Sequence, residues 1–373
     1  ANADAAFLNL ETILHDFESP GAAFSGGAYM ASPRSIAAEL KAAGFDLAST
    51  ANNHAFDYGA EGLTSTLRAL DAAGLVHAGA GRNLAWARAP AYFESRRGRV
   101  ALVAAASSIT PGSNASAQRP DLPGRPGVSP LRFTASVTLT KSAFEELRSV
   151  IPAPTGSVVL GTVRFNPGEK PGVTFALNRS DLDEIAASVR EARRQADWVV
   201  ASLHGHEASP AGREQPPSFH IEYAHAMIDA GADVVAIHGP HVLRGIEIYR
   251  GKPIFYSLAN LFFENETMRF VPAEAYEGVA NPFAATPSDA YDARTANGTR
   301  SFPADRANWE SYLAEVSFTP QRTLAAIRLT PISLGFGLTR TQRGRPRLAS
   351  PTEAQRILET LERLSAPFGT KLS

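Results

Sequence analysis

The chain predicts an α/β protein: a four-layer α/β/β/α sandwich, with two mixed sheets packed together and helices outside. Three observations lead there. Short apolar strand runs alternate with helix-periodic runs as far as Ile237. Two hairpin-like strand pairs follow Gly245. The 373 residues show no internal repeat and suffice for a large core.

Residues 5–10 read as the first strand and lead through a loop to a helix over 34–43. The strand 45–50 delivers Ala51-Asn52-Asn53-His54, and Leu63, Leu67 and Leu70 then recur at helical spacing up to Ala73. Residues 99–105 are an apolar strand ending at Ser107-Ser108. The helix 180–196 carries Leu182, Ile185, Val189 and Ala192 on one stripe. Strand 198–203, helix 218–230 and strand 233–237 continue the alternation. Hairpins are expected over 245–258, around Arg250-Gly251-Lys252, and over 312–329, with a closing helix at 353–364.

The expected organisation is one domain over 1–335, with a C-terminal loop and helix, 336–373, packing on it. Two insertions interrupt the domain. The first, 109–170, opens with a Pro-, Gly- and Ser-rich stretch; the second, 271–307, spaces Tyr276, Phe283, Tyr291 and Phe302 along its length. Long connections in compact domains are lids, binding loops or plain exposed links. Both insertions are read here as walls of a substrate cleft.

Composition narrows the function classes. A net charge of −1 gives no pull toward nucleic acid. The arginines between Arg340 and Arg347 read as a solvated loop. The absence of cysteine excludes disulfides, thiolate catalysis and Cys-ligated zinc, and suits an exported protein. No run of 18 apolar residues is present. Ala1-Asn2-Ala3-Asp4 has neither the basic start nor the apolar core of a signal peptide. An exported, periplasmic or cell-surface location is expected only if a longer form carries such a signal. There is no strand-borne GxGxxG, Walker loop or Gly-x-Ser-x-Gly elbow.

The chemistry lies in the histidines. Five of the nine follow apolar strands directly, as His54, as His204 and His206, and as His238 and His241. In open α/β sheets ligands bind beyond the carboxyl ends of the strands. Imidazoles converging there with carboxylates suit a transition metal or general acid–base work. His204 and His241 are the leading metal or acid–base candidates. Glu11, at the end of the first strand, is placed to coordinate a cation, to act as base, or to form an ordinary ion pair. Glu207 is a candidate to orient His204 or His241 through a carboxylate–imidazole hydrogen bond. His206 stands with it, and His238 reads as ligand or packing residue. Asn260 is a candidate to line the cleft, Arg244 to face an anionic substrate or form a surface ion pair, and Asp57 to hold its loop. His15, His77, His220 and His225 are assigned no site role.

These motifs resemble the CapA family of capsule synthesis. The resemblance rests on Asn9-Leu10-Glu11, on Ala51-Asn52-Asn53-His54 with Asp57-Tyr58-Gly59, and on Gly79-Ala80-Gly81. It continues through His204 to Glu207, Gly239-Pro240-His241-Val242, 245–249 and 251–260, covering about residues 4–264. Two spellings depart from the commoner pattern: His204-Gly205-His206-Glu207 stands for His-Trp-Gly-x-Glu, and Ile237-His238-Gly239-Pro240-His241 for Gly-His-His-Pro-His. The resemblance implies a calcineurin-like metallophosphoesterase fold and a link to poly-γ-glutamate. It implies that the Asn53 oxygen ligates a divalent metal (Mn, Fe, Zn or Mg) with Glu11, His204 and His241, while His54 acts on the reacting group. It also implies an earlier strand with a site aspartate in a Gly-Asp motif. That strand is not among these residues, so a fragment or trimmed form with weakened metal binding is expected.

Three activities follow as expectations. The first is a divalent-metal-dependent hydrolase of phosphoester or amide bonds, with Glu11, His54 and His241 catalytic. The second is a metal-independent peptide epimerase using a His/carboxylate pair. The third is a non-catalytic factor that binds or assembles capsule polymer. The expected partners are an anionic polymer or peptide substrate and membrane-bound capsule-synthesis proteins.

Overall fold

The computed structural model describes residues 3–152 and 156–373. Ala1 and Asn2, part of the N-terminal reading, and residues 153–155 of the first insertion lie outside the described residues.

Three parallel strands form the smaller sheet: β1 (Phe7–Asn9), then after α1 (Ile36–Ala42) β2 (Leu47–Ser49), and after α2 (Gly59–Ala73) β3 (Val76–Ala78). Strand alternation sends Leu10 and Ala48 outward, where they meet Ala37 of α1 and Leu70 of α2. The opposite face turns Phe7, Leu47 and Ala78 inward. α2 ends where Gly74 adopts φ 67°, a left-handed cap that costs glycine no steric clash.

The larger sheet begins with the antiparallel pair β4 (Ala91–Ser95) and β5 (Gly98–Ala106). The chain then leaves it for the first insertion, which folds as β6 (Phe133–Thr140), α3 (Lys141–Val150), β7 (Val158–Leu160) and β8 (Val163–Gly168), joined by β9 (Gly172–Leu177). These strands make a separate sheet in the order β7-β8-β6-β9. The chain returns through α4 (Arg179–Gln195), β10 (Trp198–His204), α5 (Ser218–Ala230), β11 (Val234–His238) and the hairpin β12 (Ile246–Tyr249) and β13 (Lys252–Phe255). The completed six-stranded sheet runs β12-β13-β11-β10-β5-β4, parallel in its four central strands and antiparallel at both edges.

Val199, Ala201 and Leu203 of β10 pack with Leu182, Ile185 and Val189 of α4 and Phe219 and Met227 of α5. Val100, Leu102 and Ala104 face the smaller sheet instead. The layers therefore run α1/α2, small sheet, large sheet, α4/α5, which is the four-layer arrangement expected.

The first insertion departs from its expected place. Phe133 and Phe175 dock onto Phe219 of α5, with ring centroids 4.7 and 5.3 Å away. This packs the aromatic face of the four-stranded insertion sheet on the helix side of the large sheet, opposite the face that carries the histidines. The 133–177 part of the insertion is therefore no cleft wall.

The remaining elements are α6 (Pro287–Thr295), the hairpin β14 (Glu310–Phe318) with β15 (Leu324–Ser333), and α7 (Pro351–Ser365). Ser350 and Glu353 form a capping box at the start of α7, with Pro351 in its first turn. Its Ile357, Leu361 and Leu364 are buried against Ile246, Phe255 and Tyr312, each contributing roughly 2 kcal/mol. The arginine loop is more than a solvated link: Arg343 grips buried Glu266 with two bonds of 2.7 and 2.9 Å.

Candidate functional site

The site forms where strands of both sheets end. Since Val199, Ala201 and Leu203 of β10 face the helices, Ser202 and His204 must face the smaller sheet. Register sets His204 opposite His238 on β11. Beyond β11 the chain turns at Gly239 and holds His241 in the left-handed region at φ 59°, which brings that ring back over the cleft. From the smaller sheet, Asn9 and Glu11 project together, two residues apart.

Glu11 is the centre of the cluster. Its Oε1 lies 3.6 Å from His204 Nε2, 3.8 Å from His206 Nε2 and 3.7 Å from His241 Nε2. That oxygen is buried without a hydrogen-bond partner, while Oε2 accepts from Asn9 Nδ2 at 3.1 Å. Ligand atoms of Glu11, His206 and His241 all lie within 4.8 Å of one another. That compact group includes His206, which the sequence ranked behind His204, and does not include His204 itself.

Neighbours set where the ring protons sit. Asn260 Nδ2 donates to the Asn308 carbonyl at 2.9 Å, so its oxygen accepts from His241 Nδ1 at 2.8 Å. The His241 proton is therefore on Nδ1, and the Nε2 lone pair points toward Glu11. His204 Nδ1 meets His238 Nδ1 at 2.8 Å, and His238 Nε2 meets Ser202 Oγ at 2.8 Å. When His204 donates to His238, its Nε2 is left as an acceptor and meets His206 Nε2 at 3.1 Å; the serine hydroxyl accommodates either polarity. Burial, reinforced by the neighbouring histidines, pushes His204 well below the usual imidazole range and His206 and His238 down to about 3. These rings stay neutral and able to ligate.

His54 is different. Burial favours its neutral form, but the 2.7 Å hydrogen bond and charge of Asp57, with the charge of Glu11, outweigh that and raise its pKa. Asp57 also accepts from the backbone N–H groups of Gly26 and Met30, both at 2.8 Å, so it does hold a loop, as read from the sequence, and orients His54 as well. Asn53 Nδ2 donates to the Gly26 carbonyl at 2.7 Å, which leaves Asn53 Oδ1 buried and without a partner.

Three readings need correction. Arg244 is fully buried, not facing the cleft or the surface. Its Nε and Nη2 donate to the carbonyls of Arg213 and Glu207 at 2.8 and 2.7 Å, so it braces the histidine loop. His220, assigned no role, lies in the same brace, 3.3 Å from Glu207 Oε2. Glu207 accepts from Ser107 and Ser108, each at 2.8 Å, and Ser108 Oγ in turn accepts from the His206 backbone N–H at 2.6 Å. Glu207 thereby positions His206, not His204 or His241. The second insertion does reach the cleft: the Phe302 ring lies edge-on to His241, centroids 4.9 Å apart.

Sequence reasoning passed over Asn9, Ser107, Ser108 and Asn52. Asn52 Nδ2 donates to the Leu10 carbonyl at 2.8 Å and its Oδ1 accepts from the His54 N–H at 3.1 Å, tying the two loops together. Asn9 had a local signal in its two-residue offset from Glu11, and Asn52 in its place beside Asn53 and His54.

Comparison with known proteins agrees with the motif set. The uncharacterized protein y4sH of Sinorhizobium fredii is 39% identical over 393 residues, covering 100% of this chain and 84% of that protein. A probable polyglutamine synthesis accessory protein of Mycobacterium tuberculosis is 28% identical, covering 86% and 62%. The PGA biosynthesis protein CapA of Bacillus subtilis is 27% identical, covering 69% and 54%. Among solved structures, a phosphatase from Mycoplasma pneumoniae overlaps 88% of this chain and 93% of its own, but with 10% identity and a TM-score of 0.35, too slight to bear on function. The family described as bacterial capsule synthesis protein PGA_cap matches residues 1–265, a span holding every histidine of the cluster as well as Glu11, Asn53 and Asn260. With most of its length and its whole histidine cluster inside that match, the chain belongs to the PGA_cap family.

Proposed function

We propose that the protein is a divalent-metal-dependent hydrolase acting on phosphoester or amide bonds in capsule or poly-γ-glutamate metabolism. One observation carries the reading: a buried, unpartnered Glu11 oxygen faced by three imidazole nitrogens at 3.6 to 3.8 Å. Ligand atoms about 2.1 Å from a shared ion lie roughly 3.0 to 3.4 Å apart. The Glu11–imidazole distances come near that spacing, while the ligand atoms of Glu11, His206 and His241 span up to 4.8 Å, so the group must contract to hold one ion. The unpartnered Asn53 Oδ1 adds a neutral oxygen of the kind such sites use.

Glu11, His204, His206 and His241 would hold the cation, with Asn53 beside them. When bound, a divalent cation supplies Lewis acidity and an activated water. Asn260 keeps the His241 proton on the far nitrogen, and Glu207 fixes His206 through Ser108. His54, whose pKa is raised by its pairing with Asp57, is the group placed to carry a proton to the leaving group.

The test is elemental analysis of the full chain together with a hydrolysis assay before and after chelation. Loss of activity on chelation and recovery on adding metal back supports the reading. Full activity in chelator, lost on His241→Ala, favours the epimerase reading, in which the same residues move a proton without metal. Polymer binding without turnover favours the assembly-factor reading.

A further inference from the structure

The anion-binding role expected of Arg244 leaves a question, because that residue is buried in the brace. An open cavity of about 600 Å³ lies next to the cluster instead, lined by Arg213, Phe302, Asp305, Arg306, Asn308 and Phe336 among others. Its size is that of a small-molecule site. It shares two walls with the site: Phe302 lies against His241, and the Asn308 carbonyl anchors the Asn260 that holds His241. All of these residues except Arg213 lie beyond the family match at residue 265.

Its charges are unbalanced. Arg213 meets Asp305 and the Asn308 amide oxygen. Arg306 lies over the Phe336 ring, 4.4 Å from its centroid, and pairs with no carboxylate among the described residues. Two guanidinium groups therefore share one carboxylate, and the aromatic ring pre-positions the unpaired one.

We propose that this cavity is a subsite for an oxyanion of the substrate, carboxylate or phosphate, bound between Arg213 and Arg306 while the neighbouring bond is presented to His241. The subsite rests on the hydrolase reading and gives it a substrate class: molecules that carry a negative group next to the bond to be cut. Asp305 occupies Arg213 in the free protein and is displaced by the incoming group.

The test is calorimetric titration of the full chain with inorganic phosphate and, separately, with an oligomer of γ-linked glutamate. Whichever probe binds identifies the oxyanion. Arg306→Gln and Arg213→Gln should each weaken that binding about tenfold, the loss of one charge-assisted contact. Asp305→Asn should strengthen it. Asparagine can still cap the following turn, as Asp305 does for the Ala307 N–H at 3.0 Å, and a gain in affinity cannot come from misfolding. His241→Ala should retain the arginine-dependent binding. No binding of either probe, or equal binding in the arginine variants and the parent, overturns the subsite. A chain that binds the probe through its arginines but takes up no metal leaves the subsite standing and removes the hydrolase reading.

Discussion

His54 and His206 both lie beside Glu11, the first with 11% and the second with 34% of its side chain exposed, yet their neighbours shift them in opposite directions. Asp57 sits on His54 at 2.7 Å and, against the effect of burial, raises its pKa. Burial and then His241 push His206 down to about 3, and the attraction of Glu207 does not reverse this. The lesson is that position relative to a carboxylate, more than depth, sorts one residue type into proton carriers and lone-pair donors.

The comparison makes its largest prediction at His241. His241→Ala should lower metal content and hydrolysis together, the rate by on the order of a thousandfold, read by elemental analysis beside initial rates. Metal retained at full stoichiometry would move His241 to the proton-carrying group and blur the division. His54→Ala should cost about a hundredfold in rate with metal content unchanged. Metal lost along with His54 breaks the comparison outright. Asp57→Asn should cost about tenfold in rate and lower the melting temperature, because the Gly26 and Met30 N–H groups lose a charged acceptor. An unchanged melting temperature would mean that Asp57 acts on His54 alone.

The smallest effect on activity is expected at Asp181, a buried carboxylate served by arginines. Burial works against its charge, but hydrogen bonds from Arg132 and Arg88 prevail and hold the carboxyl below its usual range. Its folded pKa is below the unfolded one, so the stabilisation is present above the unfolded carboxylate pKa and is lost as pH falls through the folded value. Urea midpoints across the acid range should show the parent losing its advantage over Asp181→Asn as pH drops, with hydrolysis at neutral pH alike in both. A constant gap would show that the arginines do not control that charge.

The alternation of periods made the fold readable. Helix 218–230 coincides with Ser218–Ala230, and the stripe Leu182, Ile185, Val189 and Ala192 is fully buried as spaced. Glu11, His204 and His241 were readable because strand ends converge in such sheets. What stayed hidden depends on contacts between distant segments. Arg244 turns inward because the carbonyls of Arg213 and Glu207 meet it there, and no local pattern encodes that. The rank of His206 depends on Ser108, 98 residues away. The two insertions look alike in composition; Phe133 and Phe175 found a partner on α5, whereas Phe302 found one on His241.

The turn glycines of the two histidine loops carry a last consequence. A Cβ on Gly239, at φ 124°, would lie 2.8 Å from the Gly205 carbonyl oxygen, and one on Gly205 would lie 2.4 Å from Ser107 Oγ and 2.7 Å from Glu207 Oε2. The Gly205 N–H donates to the His238 carbonyl at 2.9 Å. The loops therefore interlock like two teeth of one gear. Neither can be lengthened, swapped or grafted from a relative without carrying the other along, so variation in this protein must enter as matched pairs of loops.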